Sequence, residues 1–569
     1  MSDKRSFYEK VRDPAFWETV RTSPDYARIR EYLLSEWKEY ADCVIPALKF
    51  SDYRKFFDSG ERDTYENSYY LRRQIMIVAS FLAAIYPDVP EYLTRLEDAL
   101  FIVGSEYSWC LPAHAASVTV DDPLYLIDLF AAETGAAFGE ISLMLGNRLS
   151  PLIRGMMKRE VQTRIIDPFC SGKKFWWQTA TNNWAAVCAG GIATAVWCFR
   201  PDIFMQLRPR FRDSMDNFLS GYGDDGFCLE GIDYWIYGFG YFLCYAELER
   251  FATNGKYDYF QLPKVRRIAT YAQKVIINDP DVTVSFSDGS TRESITAGRL
   301  HFLRNEFGDD IEPLSPYLPR FVRGCANYSL ASREIAWFDP SMKPAPVREN
   351  TSYRAENAQW WIVKDPSFGF AAKAGNNDEP HNHNDIGSFI VAKAGKQVFG
   401  DLGSGLYTRQ YFRNETRYRI INCSSLGHSV PYFGETVQKY GREYRAENVA
   451  YGDNTFSFDL ASAYGDERLA SFSRAFTVSP EKVTVGDRFD WRGEAPAVER
   501  FMLWDEPKLC DGGFTVRGVT CRLIGRVAKT TVVPFEYEIH HAGGRTRGAY
   551  FVDAELEKGA DGCTLEILF

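Results

Sequence analysis

Several features that would assign a chain to a common protein class are missing from these 569 residues. No apolar run reaches the roughly 18 residues that a membrane span needs. Lys and Arg form no basic block, no nucleic-acid-reading motif occurs, and the net charge is −10. The segment Met1–Lys10 has neither the apolar core nor the cleavage-like site of a signal peptide. We therefore expect no membrane protein, no nucleic-acid-binding protein and no secreted protein.

Cysteine pairs are missing as well. The 12 cysteines are scattered without a CxxC pair, and Cys188, Cys198 and Cys244 lie in apolar helical settings. Buried free thiols in a reducing compartment explain this pattern better than disulfides do. The sequence therefore predicts a cytoplasmic protein.

What the chain contains falls into two halves with different periodicities. Residues 5–335 show the i, i+3, i+4, i+7 apolar spacing of helices separated by short breakers. A proline-rich stretch follows, and then short alternating runs with Gly, Asp and Asn turns. This predicts a multidomain α+β protein. We expect a helical-hairpin toroid or α-solenoid over 1–338, a linker at 339–351 and an antiparallel β-sandwich over 352–569.

Histidine is rare, and two of the 7 histidines stand two positions apart in the segment His381-Asn-His383-Asn-Asp385. On an extended strand, His381, His383 and Asp385 would share one face. Such a concentration has little value for packing and is typical of metal binding or proton transfer. His383, Asp401 and His428 together would suit Zn²⁺ with a fourth position left open. The alternative for His383 is a hydrogen-bonded core histidine.

Two segments of the helical half are candidates for chemistry. Asn182 and Asn183 stand at a helix start, where asparagine is favoured as an N-cap and where an amide could also grip a carboxylate. Tyr234 and Tyr237 have the i, i+3 spacing of one helix face, either as packing residues or as catalytic phenols.

The residues before the two tyrosines, and the aromatic content, leave further alternatives. Asp225 and Glu230 suggest a two-carboxylate glycosidase, or simply caps of the following helix. Aromatic residues make up 15% of the chain. Most of them are expected in the core, while the rest would suit a cleft in which sugar rings stack.

Together these segments resemble the heparinase II/III-like family of polysaccharide lyases, which includes heparinases II and III and the oligoalginate lyases. The element His-x-His-x-Asp-x-Gly-Ser-Phe is the most specific part of the resemblance. The family fold, an incomplete (α/α) toroid followed by antiparallel β-sheets, agrees with the two periodicities. The matching stretches, in family order, are Trp109–His114, Asn182–Gly191, Asp225–Gly238, His381–Phe389 and Asp401–Tyr407.

The resemblance implies β-elimination at a uronic acid. The C5 proton is removed, the 4-O-glycosidic bond breaks and a 4,5-unsaturated uronide remains, which requires a neutralised carboxylate, a base and an acid. By resemblance, Asn183 holds the uronate and a tyrosine acts as base, acid or both. Tyr237 is preferred to Tyr234, because its separation of 54 residues from Asn183 resembles the family spacing. A phenol titrates near about pH 10, so it needs a neighbour such as the imidazole of His381.

The resemblance implies further site residues and partners. His383, Asp401 and His428 match a zinc site with a structural role, and no organic cofactor is expected. The implied partner is an acidic oligosaccharide, with no nucleic acid and no membrane, and the choice between monomer and homo-oligomer is left open. The residues expected to bind substrate are Trp109, His114, Asn182, Trp184, Glu230, Tyr407, Arg413 and Arg417.

Two departures from the family bear on the substrate. Several members carry a histidine where this chain has Asn182-Asn183, which leaves the substrate open. Secreted members have a signal peptide, so its absence here predicts action on imported, glycosaminoglycan-like oligosaccharides. Three alternatives stay open: an oligoalginate-type lyase, a glycoside hydrolase using Asp225 and Glu230, and a non-catalytic carbohydrate-binding protein.

Overall fold

The computed structural model shows a chain that forms two compact units, each discontinuous in sequence. The described residues are 5–115, 123–314, 325, 327–540 and 545–569. The helical unit consists of Met1–Tyr222, Ile236–Ala269 and Ile295–Ala345, and the sheet unit consists of Gly223–Trp235, Thr270–Ser294 and Pro346–Phe569. Two segments that the periodicity placed in the helical half therefore belong to the sheet unit. The bounds of the predicted linker, 339–351, stay a prediction.

The helices of the helical unit begin with the expected signals. Asp128 and Asn182 accept hydrogen bonds from backbone amides of the first turn, as N-caps do. Proline opens several helices, because its fixed φ suits the first position. Among the described residues, no helix has the length and apolar character to cross a membrane. The α-helices of this unit are Phe7–Lys10, Pro14–Thr22, Ala27–Tyr40, Phe50–Asp58, Asp63–Ile85, Pro90–Gly104, Pro112–Ala115, Leu129–Leu145, Pro151–Val161, Asp167–Cys170, Asn183–Phe199, Pro201–Ser220, Gly240–Ala252, Pro263–Ala269, Ala297–Phe307 and Tyr328–Ala336.

Two of these helices form the centre of the helical unit. Leu129–Leu145 and Asn183–Phe199 are buried over most of their length and pack against each other. Their small residues allow a close approach: a Cβ atom at Gly191 would lie 2.8 Å from the carbonyl oxygen of Ala132. A helix that is apolar on all sides belongs in a core. The start of the second helix, at Asn183, is therefore held in a fixed position.

The sheet unit contains two large antiparallel sheets and a small one. The strands in chain order are β1 (Thr351–Ala355), β2 (Trp360–Lys364), β3 (Gly369–Lys373), β4 (Asn376–Asn377), β5 (Phe389–Lys393), β6 (Lys396–Phe399), β7 (Tyr432–Phe433), β8 (Gly441–Arg445), β9 (Glu447–Tyr451), β10 (Thr455–Asp459), β11 (Leu469–Ser479), β12 (Lys482–Trp491), β13 (Ala497–Leu503), β14 (Lys508–Cys510), β15 (Gly513–Val516), β16 (Val519–Gly525), β17 (Val527–Glu538), β18 (Thr546–Leu556) and β19 (Gly562–Leu568). One sheet has the order β1-β2-β3-β5-β6-β13-β18-β17, with β7 paired to β13, and the other has the order β14-β15-β16-β19-β12-β11-β10-β9. Strands β4 and β8 pair separately. Short helices of this unit are Ile232–Tyr234, Tyr271–Val275, Asn414–Arg417 and Ala461–Tyr464.

The two large sheets share one aromatic core. Burial alternates along β11 and β12, and their register pairs Phe472 with Phe489 on the buried face. Across the sheets, the rings of Phe389 in β5 and Phe476 in β11 meet edge to face, with centroids 5.8 Å apart. Two sheets whose inner faces interdigitate form a β-sandwich. The predicted all-β architecture of this part is therefore confirmed.

A buried ion pair links the sandwich to two loops. Arg474 in β11 is fully buried, and its Nε donates to Asp487 in β12 at 2.7 Å. Glu499 lies 3.6 Å from the same guanidinium. The remaining donor, Nη1, binds the backbone carbonyls of Gly387 at 2.8 Å and Ser429 at 2.7 Å. Each of these carbonyls lies close in sequence to a histidine-bearing segment, so the sandwich core fixes both segments.

Replacing Arg474 by methionine would leave the buried carboxylate of Asp487 without a counter-charge. Breaking a buried ion pair in this way costs roughly 3–5 kcal/mol. We therefore expect a clear fall in the melting temperature measured by scanning calorimetry. Arg468→Met is the control, because the side chain of Arg468 is 59% exposed and its ion pair with Asp466 is open to water. Equal shifts in the two variants would contradict the structural role of Arg474.

Candidate active site and metal centre

The segment His381–Asp385 is a loop and not the strand that its alternation predicted. It precedes β5, and His381 has a left-handed backbone with a φ of 55°. Arg417 holds the loop by donating to the carbonyl of His381 at 3.0 Å. Asp385 pairs with Lys373 at 2.8 Å instead of joining the histidines. The expected common face of three side chains therefore does not form.

Asp288 is the centre of a polar cluster in the sheet unit, and its side chain is fully buried. An ionised carboxylate carries no hydrogen, so His381 must hold its proton on Nδ1 and His383 must hold its proton on Nε2. Burial alone would raise the pKa of Asp288, but Arg417 and the two histidines outweigh it and lower this pKa well below its usual range. The donors to Asp288 are His381 Nδ1 (2.7 Å), His383 Nε2 (2.9 Å), Tyr407 Oη (3.1 Å), Arg417 Nη2 (3.4 Å) and Tyr411 Oη.

Tyr234 lies against His381, with ring centroids 4.0 Å apart and planes inclined by 29°. Its hydroxyl is 3.1 Å from that of Tyr407, which itself donates to Asp288. Because Tyr407 has one hydroxyl hydrogen, the hydrogen bonds run from Tyr234 to Tyr407 and then to Asp288. Burial and the charge of Asp288 raise the pKa of Tyr234 well above its usual value. The phenol of Tyr234 is therefore protonated and can act as an acid.

His381 has the arrangement of a general base. Its Nδ1–H donates to Asp288, which leaves the lone pair on Nε2, and the carboxylate of Glu230 lies 3.7 Å from that atom. The side chain of His381 is 20% exposed, so the ring is not sealed in the core. A carboxylate that fixes the tautomer of an imidazole also stabilises its protonated form. This geometry supports proton removal by His381 next to the protonated phenol of Tyr234.

His383, Asp401 and His428 are brought together as predicted, with one ligand atom of each within 4.8 Å of the others and all three residues buried. Because His383 carries its proton on Nε2, its Nδ1 is a bare lone pair, and this buried atom has no hydrogen-bond partner. His428 donates from Nε2 to the carbonyl of Asn422 at 2.9 Å, and its Nδ1 lies 2.8 Å from Asp401. That contact requires a cation, either a proton or a metal ion. Two imidazoles and one carboxylate fit Zn²⁺.

In the helical unit, Asn183 is the first residue of its helix. Asn182 acts as the N-cap, accepting from the amide of Trp184 at 3.2 Å. The side chain of Asn183 is 3% exposed, and its Oδ1 has no hydrogen-bond partner. The backbone of Gly238 lies against it, since a Cβ there would be 2.9 Å from the Cβ of Asn183. An unpaired buried oxygen costs roughly 1–3 kcal/mol, which a ligand that donates to it would recover.

Tyr237 also belongs to the helical unit, and its hydroxyl donates to Glu133. Glu133 accepts a second bond from Asn327 at 2.9 Å. Burial raises the pKa of Glu133 to about 7 and raises the pKa of Tyr237 well above its usual value. The segment Trp235–Phe239 is a π-helical turn, and the hydroxyl of Tyr234 contacts Tyr407 and not Glu133. The two hydroxyls therefore bond different partners.

An aromatic group stands at the start of the same helix. The ring of Trp184 lies 4.7 Å from His114 and 4.8 Å from Trp176, which is 53% exposed. Exposed indole faces suit stacking against sugar rings. Trp109, in contrast, is 1% exposed and donates its indole N–H to a backbone carbonyl. The expectation that Trp109 binds substrate is wrong, because the residue belongs to the core.

The remaining predicted site residues differ in their exposure and in their hydrogen-bond partners. Arg413 is exposed. Arg417 is buried, and its guanidinium group donates to Asp288 and to backbone carbonyls. It therefore fixes a loop and is not positioned to bind a substrate. Asp225 accepts from the backbone amides of Asn357 and Ala358 at 2.8 and 2.9 Å. Its carboxylate therefore has a structural use.

Sequence reasoning missed four residues of these clusters: Asp288, Tyr411, Glu133 and Trp176. Asp288 had a readable signal, since it follows the alternating apolar run Val282–Phe286 inside a half that is otherwise helical in pattern. Glu133 had one as well, because carboxylates are rare in the apolar helix Leu129–Leu145. Tyr411 and Trp176 had no local signal that separates them from core aromatics.

Solved structures share this fold over nearly the whole chain. Heparinase III gives a TM-score of 0.65 at 14% identity, covering 99% of this chain and 92% of that one. Heparan sulfate lyase HepC from Pedobacter heparinus gives 0.58 at 12%, with 99% and 87% covered, and the Streptomyces coelicolor A3 chondroitin AC lyase in complex with chondroitin sulphate gives 0.53 at 10%, with 98% and 82% covered. No family model and no curated protein matches the chain. The predicted fold class is therefore confirmed.

Glu133→Gln tests the environment of this buried carboxyl group. The pKa of Glu133 rises from 4.5 to about 7 on folding. At a pH between these two values, the carboxyl group is protonated in the folded state and ionised in the unfolded state. Stability therefore falls as the pH rises through this window, by roughly 3 kcal/mol from this group. Glutamine does not titrate, so we expect the variant to gain stability relative to the wild type over the same window. Denaturant unfolding at a series of pH values measures this, and a difference that does not vary with pH would contradict it.

Proposed function

We propose that the protein is a lyase that cleaves acidic oligosaccharides by β-elimination at a 4-O-linked uronic acid. The observation that carries the proposal is the contact of Tyr234 with His381, whose imidazole is oriented by Asp288. It supplies one group that can accept a proton and one that can donate a proton, as the reaction requires. The shared fold with heparinase III, heparan sulfate lyase and chondroitin AC lyase supports a glycosaminoglycan-like substrate.

In the proposed reaction, Nε2 of His381 takes the proton from C5 of the uronic acid. The electrons of the C5–H bond form the C4–C5 double bond, and the bond from C4 to the glycosidic oxygen breaks. Tyr234 gives its proton to the departing oxygen. Asp288 stabilises the imidazolium that forms, and proton return from His381 to Tyr234 restores the resting state. The products are a 4,5-unsaturated uronide and a free hydroxyl group.

Asn183 is proposed to neutralise the uronate, because the C5–H is only weakly acidic beside a charged carboxylate. The uronate would take up a proton from solvent on binding. The side-chain amide can then form two hydrogen bonds to the carboxyl group, donating through Nδ2 and accepting through Oδ1. The unpartnered Oδ1 supports this role, and the N-terminus of the helix favours negative charge. Such bonds stabilise the charge that develops on the carboxyl group during proton removal.

The indole of Trp184, with the exposed Trp176 beside it, is proposed to stack on a sugar ring. A glycoside hydrolase is not favoured, because backbone amides occupy the carboxylate of Asp225. Tyr237 stays a predicted catalytic phenol, but its bond to Glu133 makes us prefer Tyr234. The cytoplasmic location and the action on imported oligosaccharides stay predictions.

We also propose that His383, Asp401 and His428 bind one Zn²⁺. The unpartnered Nδ1 of His383 and the close approach of His428 to Asp401 support a cation between these groups. A bound ion would join three loops and steady the segment that carries His381. In this proposal its role is structural, and proton transfer stays with the side chains.

Acidic oligosaccharides incubated with the protein should gain the ultraviolet absorbance of the new conjugated double bond. Tyr234→Phe and His381→Ala should each lower kcat at least about 100-fold, the scale of general acid–base catalysis. Asn183→Ala should lower kcat/KM by weakening carboxylate neutralisation. Asp225→Asn is the control and should keep the absorbance gain.

Two outcomes would contradict this mechanism. New reducing ends without absorbance gain would indicate a hydrolase. Loss of activity in Tyr237→Phe together with normal activity in Tyr234→Phe would assign the acid to Tyr237.

Metal analysis tests the zinc proposal independently of activity. Protein purified without chelator or histidine tag should contain zinc, and His428→Ala and Asp401→Ala should lose it, because each removes a ligand. A chelator should lower the melting temperature of the wild type. His301→Ala is the control, since that buried histidine belongs to the helical unit and accepts from the amide of Asp339. Metal-free protein whose melting temperature is unchanged by added zinc would refute the site.

A further inference from the structure

We infer that Asp288 is a positioning residue that couples the proposed metal site to the imidazole of His381. Its Oδ2 accepts from His381 and its Oδ1 accepts from His383. One carboxylate therefore serves the proposed base and a proposed metal ligand at the same time. The expected fall in kcat rests on the proposed function, whereas the expected fall in zinc affinity rests on the geometry alone.

The carboxylate sets the tautomer of both rings. Because Asp288 can only accept, the lone pair of His383 is left on Nδ1, a buried atom without a hydrogen-bond partner, and the lone pair of His381 is left on Nε2. An amide in this position has only one accepting atom. Asp288→Asn would therefore force one ring to reverse its tautomer or rotate. A neutral residue of equal size cannot accept hydrogen bonds from both imidazoles in the same way.

Asp288 is also unable to move toward one ring without leaving the other. Its side chain is fully buried, and Tyr407, Tyr411 and Arg417 donate to it as well. The two histidines are separated by a single residue in a loop whose backbone Arg417 also holds. A displacement of either ring is therefore transmitted to the other through a short, rigid connection.

The test compares Asp288→Asn with the wild type in the full-length protein. Zinc affinity is measured by competition with a chromophoric chelator, and kcat and KM are measured at saturating zinc on an oligosaccharide that the wild type cleaves. We expect zinc affinity to fall about 10–100-fold, as for other residues that orient a ligand. We also expect kcat to fall by at least about 10-fold with KM little changed, because the base is misdirected while substrate contacts remain.

A third readout follows the tautomers directly. Ring ¹⁵N chemical shifts of histidine distinguish a protonated Nδ1 from a protonated Nε2, and the chain has only 7 histidines to assign. In the wild type, His381 should be protonated at Nδ1 and His383 at Nε2. In Asp288→Asn, at least one of these two patterns should reverse.

The control is Asp553→Asn, which breaks the ion pair of another largely buried carboxylate in the sheet unit, with Arg500. It should lower the melting temperature but leave zinc affinity, kcat and both tautomers unchanged. If saturating zinc restores full kcat to Asp288→Asn, the coupling is wrong and Asp288 serves the metal alone. Wild-type zinc affinity in this variant also overturns the inference. If the wild type cleaves no acidic oligosaccharide, the proposed function fails, while zinc affinity and tautomers still decide the role of Asp288.

Discussion

The polar cluster around Asp288 depends on hydrogen bonds to one ionised carboxylate that has no access to water. An unpaired charge in such a place costs several kcal/mol even after relaxation, and Asp288 avoids this cost by receiving five donors. These donors come from separate segments of the sheet unit, so the segments must converge before the charge is stable. The hydrogen bonds that stabilise Asp288 therefore also fix the direction of two imidazoles and two phenols. The resulting geometry exists before any ligand binds, which is the condition for effective acid–base catalysis.

The helical unit uses a different arrangement. Its two central helices are almost entirely apolar, and two of their polar groups are incompletely satisfied or shifted in charge state. Asn183 keeps an unpartnered oxygen, and the pKa of Glu133 rises to about 7 because burial opposes its ionisation. Small residues such as Gly191 allow the helices to pack tightly enough to maintain these positions. The packing of the core thus supports polar groups that a looser core would hydrate.

How well the sequence predicts a feature depends on how far apart in the chain the interacting residues lie. Helix and strand periodicity and the N-cap at Asn182 are local patterns, and periodicity predicted the architecture. The grouping of His383 with Asp401 and His428 spans 18 and 27 residues, too long for a local motif, and it was matched by the family resemblance. Asp288 could not be assigned in this way, because its role comes from donors 93 to 129 residues away in the chain. The left-handed backbone of His381 likewise results from tertiary hydrogen bonds that override an alternating pattern.

The roles of the phenols follow from their electrostatic surroundings more than from their spacing. Ionising Tyr234 would place a second negative charge beside Asp288, which is already ionised. This phenol can therefore give up a proton only while another group supplies a positive charge. In the proposed reaction, the imidazole of His381 does so after taking the C5 proton, because it would then be positive in contact with the ring of Tyr234. Proton removal and proton delivery are then linked: the first makes the second favourable. Tyr237 donates instead to a carboxyl group whose pKa is about 7, and its ionisation would oppose the charge of that group. This difference is the physical reason to assign the acid to Tyr234, and it outweighs the agreement in spacing that favoured Tyr237.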